Sequence, residues 1–124
     1  MATVLVVDDR PVNRDLVRTV LGYYGHVTVE AADGAEALLL LARERPDLVL
    51  TDVVMPGMDG YQLARAIRSD PASQGVPVLF YTANYLTQES HPNAAAHGVT
   101  RIVPKTGDLT ALIEAVDDAL REAG

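Results

Sequence analysis

Two stretches decide the fold of this chain: Thr3-Val4-Leu5-Val6-Val7-Asp8-Asp9 and Leu48-Val49-Leu50-Thr51-Asp52. Each begins with a short apolar run rich in β-branched residues, which is typical of a strand buried on both faces of a parallel sheet. Each run is followed directly by aspartate. Because carboxylates at the ends of two buried strands repel one another when they lie together, such a site calls for a cation, a proton or a lysine.

Three further runs of the same kind alternate with helical patterns along the 124 residues. The predicted strands are approximately residues 3–7, 26–30, 47–51, 77–81 and 99–103. The second strand alternates polar and apolar residues, so it is predicted to lie at an edge of the sheet. Regular alternation of strand and helix predicts one α/β domain over residues 1–124, a (βα)5 doubly wound parallel sheet of the flavodoxin-like type.

Local signals mark where several helices begin. Pro11 suits a first helical position. Three apolar residues then recur at the four-residue spacing of a helix face: Val12, Leu16 and Val20. Asp33 with Glu36 three residues later resembles a capping box at the start of the second helix. Residues 84–97 form the weakest helical pattern, and a loop or single turn followed by a short helix from near Pro92 is predicted there.

The composition argues against several functional classes. A formal net charge of −7 argues against a primary surface for nucleic acid or an anionic membrane, because phosphate contacts need a basic patch. The chain contains no cysteine, so it has neither a disulfide framework nor a thiolate metal site. No apolar run approaches the roughly 18 residues of a membrane span, and no basic secretory leader is recognisable. We therefore expect a soluble, cytoplasmic domain without membrane or nucleic-acid partners.

Five polar residues are predicted to converge at one edge of the sheet. In an open α/β sheet, ligands bind beyond the carboxyl ends of the strands, where the strand order reverses. For the order 2-1-3-4-5, this reversal lies between the first and third strands. The members are Asp8, Asp9 and Asp52 after those two strands, Thr82 at the end of the fourth and Lys105 after the fifth. The combination of these residues, rather than any one of them, indicates a binding site.

The chemistry of these groups suits a hard cation and a phosphoryl group. Carboxylates, a backbone carbonyl and water molecules are the ligands that Mg²⁺ prefers. A carboxylate can also accept a phosphoryl group as a nucleophile. Lys105, the only lysine of the chain, could neutralise the transferring oxygens while the Thr82 hydroxyl donates a hydrogen bond to one of them.

Four segments, in order along the whole chain, resemble the receiver domains of two-component response regulators, with a chemotaxis-regulator-like arrangement. They are Val6-Val7-Asp8-Asp9, Thr51-Asp52-Val53-Val54-Met55-Pro56-Gly57-Met58-Asp59-Gly60, Tyr81-Thr82-Ala83 and Lys105. The resemblance implies a phosphoacceptor signalling domain rather than an enzyme. Its phosphoryl group would come from a histidine kinase or a histidine phosphotransfer domain, and its output would be contact with a downstream protein. Both a stand-alone protein and a fragment of a hybrid histidine kinase are compatible with it.

The resemblance also implies a role for each site residue. Asp52 would be the phosphorylation site. Thr82 would close on the phosphoryl group and Lys105 would pair with it. Mg²⁺ would be the cofactor, and its ligands would be Asp9 and Asp52 directly, Asp8 through water, and Val54 through its backbone carbonyl.

The chain departs from the family pattern around its fifth strand. Ile102 stands three residues before Lys105, where the family usually carries a Tyr or Phe whose rotamer reports the phosphorylated state. Thr106 follows the lysine where proline is usual. A trans Lys105–Thr106 bond is expected, because a cis bond before a residue other than proline costs about 2.5–4 kcal/mol. Activation is therefore predicted to act through Thr82 and residues 84–97.

Two functions from other classes stay open on the sequence. A pseudo-receiver would keep the fold as an interaction module without being phosphorylated. A phosphatase of the haloacid-dehalogenase type would form an aspartyl-phosphate, but it would want a second acid two residues after its nucleophile, where Val54 stands.

A basic stripe is predicted on the first helix, where Arg10, Arg14 and Arg18 recur every four residues. One interpretation is a docking surface for the phosphodonor beside the acidic site. The simpler interpretation is a solvated helix face.

Overall fold

Five parallel strands form a single sheet in the order β2-β1-β3-β4-β5, as predicted. The computed structural model describes residues 2–83, 95–105 and 109–123. The strands are β1 Thr3–Val7, β2 Val27–Ala31, β3 Leu48–Thr51, β4 Val78–Thr82 and β5 Arg101–Pro104. The alternating strand β2 lies at an edge, which confirms its predicted position. In this order β1 lies between β2 and β3, so the carboxyl ends of β1 and β3 are neighbours at the reversal point.

Besides the two helical residues Ala95 and Ala96, four helices lie in the described part of the chain. They are α1 Pro11–Tyr23, α2 Gly34–Glu44, α3 Gly60–Ser69 and α4 Leu109–Ala123. None of them is long and apolar enough to cross a membrane. The predicted helix from near Pro92 and the Lys105–Thr106 peptide bond fall at least partly outside the described residues. Both stay predictions.

The core consists of two apolar layers, one on each face of the sheet. Successive side chains of a strand point to opposite faces, so each inner strand contributes to both layers. Leu5 and Val7 of β1 pack with α2 and α3 on one face. Val4 and Val6 pack with α1 and α4 on the other. Strands that are apolar at every position are therefore explained by burial on both faces.

The apolar face predicted on α1 is only partly correct. Pro11 is the first residue of this helix, as predicted. However, the Val12 side chain is 71% exposed and that of Leu16 is 49% exposed, while Val17 and Leu21 are buried against the sheet. Both pairs have the same four-residue spacing, so spacing alone does not choose between them. The structure places Val17 and Leu21 in the core layer on this face of the sheet.

Side-chain caps define the starts of α2 and α3. Asp33 accepts a hydrogen bond from the Glu36 amide (2.8 Å), but the Glu36 carboxylate accepts from the Ala32 amide instead of closing the predicted reciprocal box. The reciprocal box occurs at α3, where the Asp59 carboxylate accepts from the Gln62 amide and the Gln62 side chain accepts from the Asp59 amide. Asp59 therefore serves as the residue that begins α3.

Gly60 packs the start of α3 directly against the end of β3. A Cβ atom at this position would lie 2.7 Å from the Asp52 carbonyl oxygen and 3.1 Å from the Phe80 ring. Gly60→Ala is therefore expected to lower the free energy of unfolding by about 1–3 kcal/mol, the usual cost of overpacking. Urea denaturation measures this change.

Gly75→Ala is the matched control, because a Cβ atom there meets nothing within 4 Å. Its effect should stay within about 0.5 kcal/mol. If the two variants were equally stable, the close contacts around Gly60 would not exclude a Cβ atom at this position.

Candidate functional site

Backbone hydrogen bonds beyond the strand ends hold the predicted site residues at one edge of the sheet. The Asp52 amide donates to the Val7 carbonyl (3.0 Å), and the Lys105 amide donates to the Thr82 carbonyl (2.9 Å). Asp8 follows β1 directly, and Thr82 is the buried last residue of β4. The sheet register thus brings residues from four strands to the edge where the strand order reverses.

Lys105 bridges two of the three carboxylates. Its ammonium nitrogen Nζ lies 2.9 Å from Asp8 Oδ2 and 3.3 Å from Asp52 Oδ2, and its side chain is 17% exposed. Burial lowers the pKa of Lys105, but the hydrogen bond to Asp8 and the negative charges of Asp52 and Asp8 outweigh it, so the pKa lies above the ordinary value of 10.5. The lysine is therefore charged and is the cation that offsets the repulsion between these two acids.

Asp8 is enclosed by hydrogen-bond donors. Its Oδ1 accepts from the Arg10 amide (2.9 Å), and its Oδ2 accepts from Lys105 and from the Asn13 side-chain amide (3.3 Å). Its backbone carbonyl accepts from Arg14 Nη1 (2.6 Å). Since both carboxylate oxygens already accept hydrogen bonds, Asp8 has the least capacity of the three acids to coordinate a cation directly.

The other candidate oxygen donors are more accessible. Asp52 Oδ1 accepts from the Val53 amide (2.7 Å) and its Oδ2 from Lys105, which leaves lone pairs on both atoms. Asp9 is exposed, and its carboxylate has no hydrogen bond or ion pair with any described residue. Val54 is 61% exposed, and no described donor is bonded to its carbonyl. As far as the described residues are concerned, Asp9, Asp52 and Val54 therefore retain free oxygen valences.

These residues fit a hard divalent cation by donor type and charge. All the donors are oxygens, which Mg²⁺ prefers, and three carboxylates with one ammonium leave a net charge of −2. Within the described residues, no three acidic or histidine side chains already converge in a geometry that could hold a metal ion. Lys105 Nζ contacts both Asp8 and Asp52 in this arrangement.

The sequence placed Arg14 in a surface stripe beside the acidic site and did not predict its hydrogen bond to the Asp8 carbonyl. The basic-stripe hypothesis is wrong for this residue, whose side chain is only 17% exposed and pairs with Glu30 of β2. Arg18 also lies near Glu30, at 3.7 Å, and pairs with Asp15. Glu30 lies on β2, so these ion pairs could be predicted only once the register of β1 and β2 was known.

Comparison with known proteins identifies relatives over most of the chain. The family model described as the response regulator receiver domain matches residues 4–117. An uncharacterized 14.6 kDa protein of Leptolyngbya boryana is 39% identical over 113 residues, which cover 91% of this chain and 86% of that protein. The sensor histidine kinase RcsC of Escherichia coli is 45% identical over 86 residues, 69% of this chain but only 9% of the kinase. Protein PilH of Pseudomonas aeruginosa is 37% identical over 82 residues, which cover 66% of this chain and 68% of that protein.

Solved structures share the fold. The chemotaxis protein CheY4 of Vibrio cholerae has a TM-score of 0.90 at 31% identity, covering 96% of this chain and 98% of that one. The response regulator TrrA of Thermotoga maritima, solved in complex with Mg²⁺ and BeF, has a TM-score of 0.85 at 31% identity, covering 96% and 99% of the two chains.

Proposed function

Because this chain belongs to the response regulator receiver domain family, whose members are phosphoacceptors in two-component signalling, we propose that its phosphorylated residue is Asp52. The observation that carries this assignment is the pairing of Asp52 with Lys105 at 3.3 Å, where the strand order reverses. Receiver domains are signalling domains that histidine kinases or phosphotransfer proteins phosphorylate. The donor of this chain is proposed to be of that kind.

The residues divide the phosphoryl transfer between them. A carboxylate oxygen of Asp52 attacks the phosphorus, the new O–P bond forms, and the bond from phosphorus to the donor histidine nitrogen breaks, leaving its electron pair on that nitrogen. The Lys105 ammonium pairs with the phosphoryl oxygens, and the Thr82 hydroxyl donates a hydrogen bond to one of them. Lys105 is already within reach, because it touches Asp52 before any phosphoryl group arrives.

Mg²⁺ is proposed as the cofactor. The residues that would hold it are Asp9 and Asp52 directly, Asp8 through water, and Val54 through its backbone carbonyl. This division agrees with the free valences of Asp9 and the hydrogen-bonded oxygens of Asp8. When bound, the ion supplies positive charge for the phosphoryl oxygens during transfer.

The output is proposed to be contact with a downstream protein in the cytoplasm, without nucleic acid as a direct ligand. Ile102, in place of the usual aromatic residue, is partly buried against the layer that contains α2 and α3. An activation route through Thr82 and residues 84–97 stays a prediction, since residues 84–94 are outside the described part of the chain. Neither the pseudo-receiver nor the phosphatase alternative is favoured, and Val54 still stands where the phosphatase would want its second acid.

Beryllofluoride with Mg²⁺, a mimic of the phosphorylated aspartate, tests this proposal. Amide resonances of Thr82 and Lys105 are expected to shift on its addition, because both residues would contact the mimic. Two-dimensional NMR of the labelled protein records the shifts. Asp52→Asn should be insensitive to the same addition. If neither metal nor mimic moved these resonances in the parent, and Asp52→Asn behaved identically, phosphorylation at Asp52 would be excluded.

A further inference from the structure

Arg14 joins the turn after β1 to the edge strand β2. Its Nη1 donates to the Asp8 carbonyl at 2.6 Å, and its Nε donates to Glu30 Oε1 at 3.2 Å. Glu30 is the register partner of Val6, two residues before Asp8. The guanidinium is therefore anchored on a fixed element and reaches from there to the backbone of the acidic turn.

The contact acts on the peptide unit that leads into Asp9. A peptide group is planar, so a hydrogen bond to the Asp8 carbonyl also fixes the directions of the Asp9 N–H and of the Asp9 N–Cα bond. The Asp8 carboxylate accepts hydrogen bonds from the Arg10 amide and from Lys105. Asp9 itself has no side-chain partner among the described residues. Its position therefore depends on the backbone that Arg14 holds.

The effect of Arg14 is mainly one of position. Its positive charge is matched by Glu30, and the pair together leaves the net charge beside the acids unchanged. The Arg14 guanidinium donates from two separate atoms, Nε and Nη1, whereas a lysine would have to make both hydrogen bonds from a single nitrogen. Arg18 shares Glu30 but has no contact with Asp8 among the described residues, which makes it the natural comparison.

We propose that Arg14 is a positioning residue for the cation site. It holds the Asp8–Asp9 turn and thereby fixes the backbone that carries the Asp9 carboxylate. This inference rests on the proposed function, because it concerns the Mg²⁺ ligands assigned there.

Isothermal titration of Mg²⁺ into the metal-free protein tests the role of Arg14. Arg14→Met should weaken Mg²⁺ binding by about tenfold, the lower end of the effect of removing a group that orients a metal ligand. Arg18→Met, the matched control, should stay within about twofold. Arg14→Lys should not restore the parent affinity. Equal affinities for Arg14→Met and Arg18→Met, or full rescue by lysine, would overturn the positioning role.

Circular dichroism separates this effect from a loss of folding. Each titration is made at a temperature where the variant retains the parent spectrum. Should Arg14→Met fail to fold, Glu30→Ala removes the anchor while leaving Arg14 in place, and it should weaken Mg²⁺ binding several-fold. An unchanged affinity in Glu30→Ala would contradict the inference. A parent protein that bound no Mg²⁺ would instead overturn the proposed cofactor itself, so the two failures are distinguishable.

Discussion

Asp52→Asn is expected to abolish uptake of a phosphoryl group from acetyl phosphate in the presence of Mg²⁺. The substitution keeps the size of the side chain, and an asparagine oxygen can still accept the hydrogen bond from the Val53 amide. It removes the negative charge that makes the carboxylate a nucleophile and a Mg²⁺ ligand. The loss should therefore be complete, while the fold is preserved.

Intact-protein mass spectrometry measures this loss directly as the fraction of protein that carries the added phosphoryl group. Asp15→Asn is the control, because this substitution removes the same negative charge outside the site. Asp15 is an exposed residue of α1 that pairs with Arg18. This control should be phosphorylated like the parent. Continued uptake in Asp52→Asn would move the phosphorylation site to another residue.

Lys105→Met should reduce the rate of phosphoryl uptake and, at the same time, tighten Mg²⁺ binding. The rate should fall by about 10²-fold, the scale of losing one preorganised positive donor. Without the ammonium, the site has a net charge of −3 instead of −2. Mg²⁺ affinity should accordingly rise by about tenfold, as expected for one unit charge at close range in a partly exposed site.

Opposite changes in rate and metal affinity distinguish this role from simple damage to the fold, which would weaken both. The time course of phosphorylation by acetyl phosphate gives the rate, and titration calorimetry gives the Mg²⁺ affinity. Arg101→Met removes a positive charge that pairs with Glu122, outside the site, and serves as the control. If Lys105→Met lost Mg²⁺ affinity as well as rate, the lysine would not be the competing cation at these carboxylates.

The same variant has a signature in the pH dependence of stability. The pKa of Lys105 is raised in the folded protein, so its contribution is fully present below the unfolded-state pKa of about 10.5 and is lost as pH rises through the higher folded value. The free energy of unfolding of the parent should therefore fall more steeply than that of Lys105→Met above about pH 10.5. Urea denaturation across this range measures both curves, and parallel curves would contradict the ion pairing.

The strands and their edge were predictable from local patterns. All five predicted strands overlap the observed ones, with ends that differ by two residues or fewer. Apolar runs without polar alternation indicate burial on both faces, and the alternating β2 is correctly predicted as an edge strand. The position of Asp8 and Asp52 directly after such runs then predicts that both lie at the same end of the sheet.

Helix orientation was less predictable than helix position. Pro11 marks the start of α1, but the four-residue spacing of Val12 and Leu16 is shared by the buried pair Val17 and Leu21. Periodicity defines a stripe on a helix without saying which stripe faces the sheet. Packing against the sheet distinguishes them, because Val17 and Leu21 belong to the core layer that contains Val4 and Val6.

The sequence by itself determined that three carboxylates, a threonine and a lysine would meet at one sheet edge, because strand periodicity and the polar residues that follow each strand are local properties of the chain. Only the tertiary structure decided which of them touch. Lys105 contacts Asp8 and Asp52 across separations of 97 and 53 residues. Arg14 donates hydrogen bonds both to the Asp8 carbonyl and to the glutamate of the neighbouring strand β2. Such pairings depend on sheet register, turn geometry and rotamers together, and no repeat within the sequence encodes them.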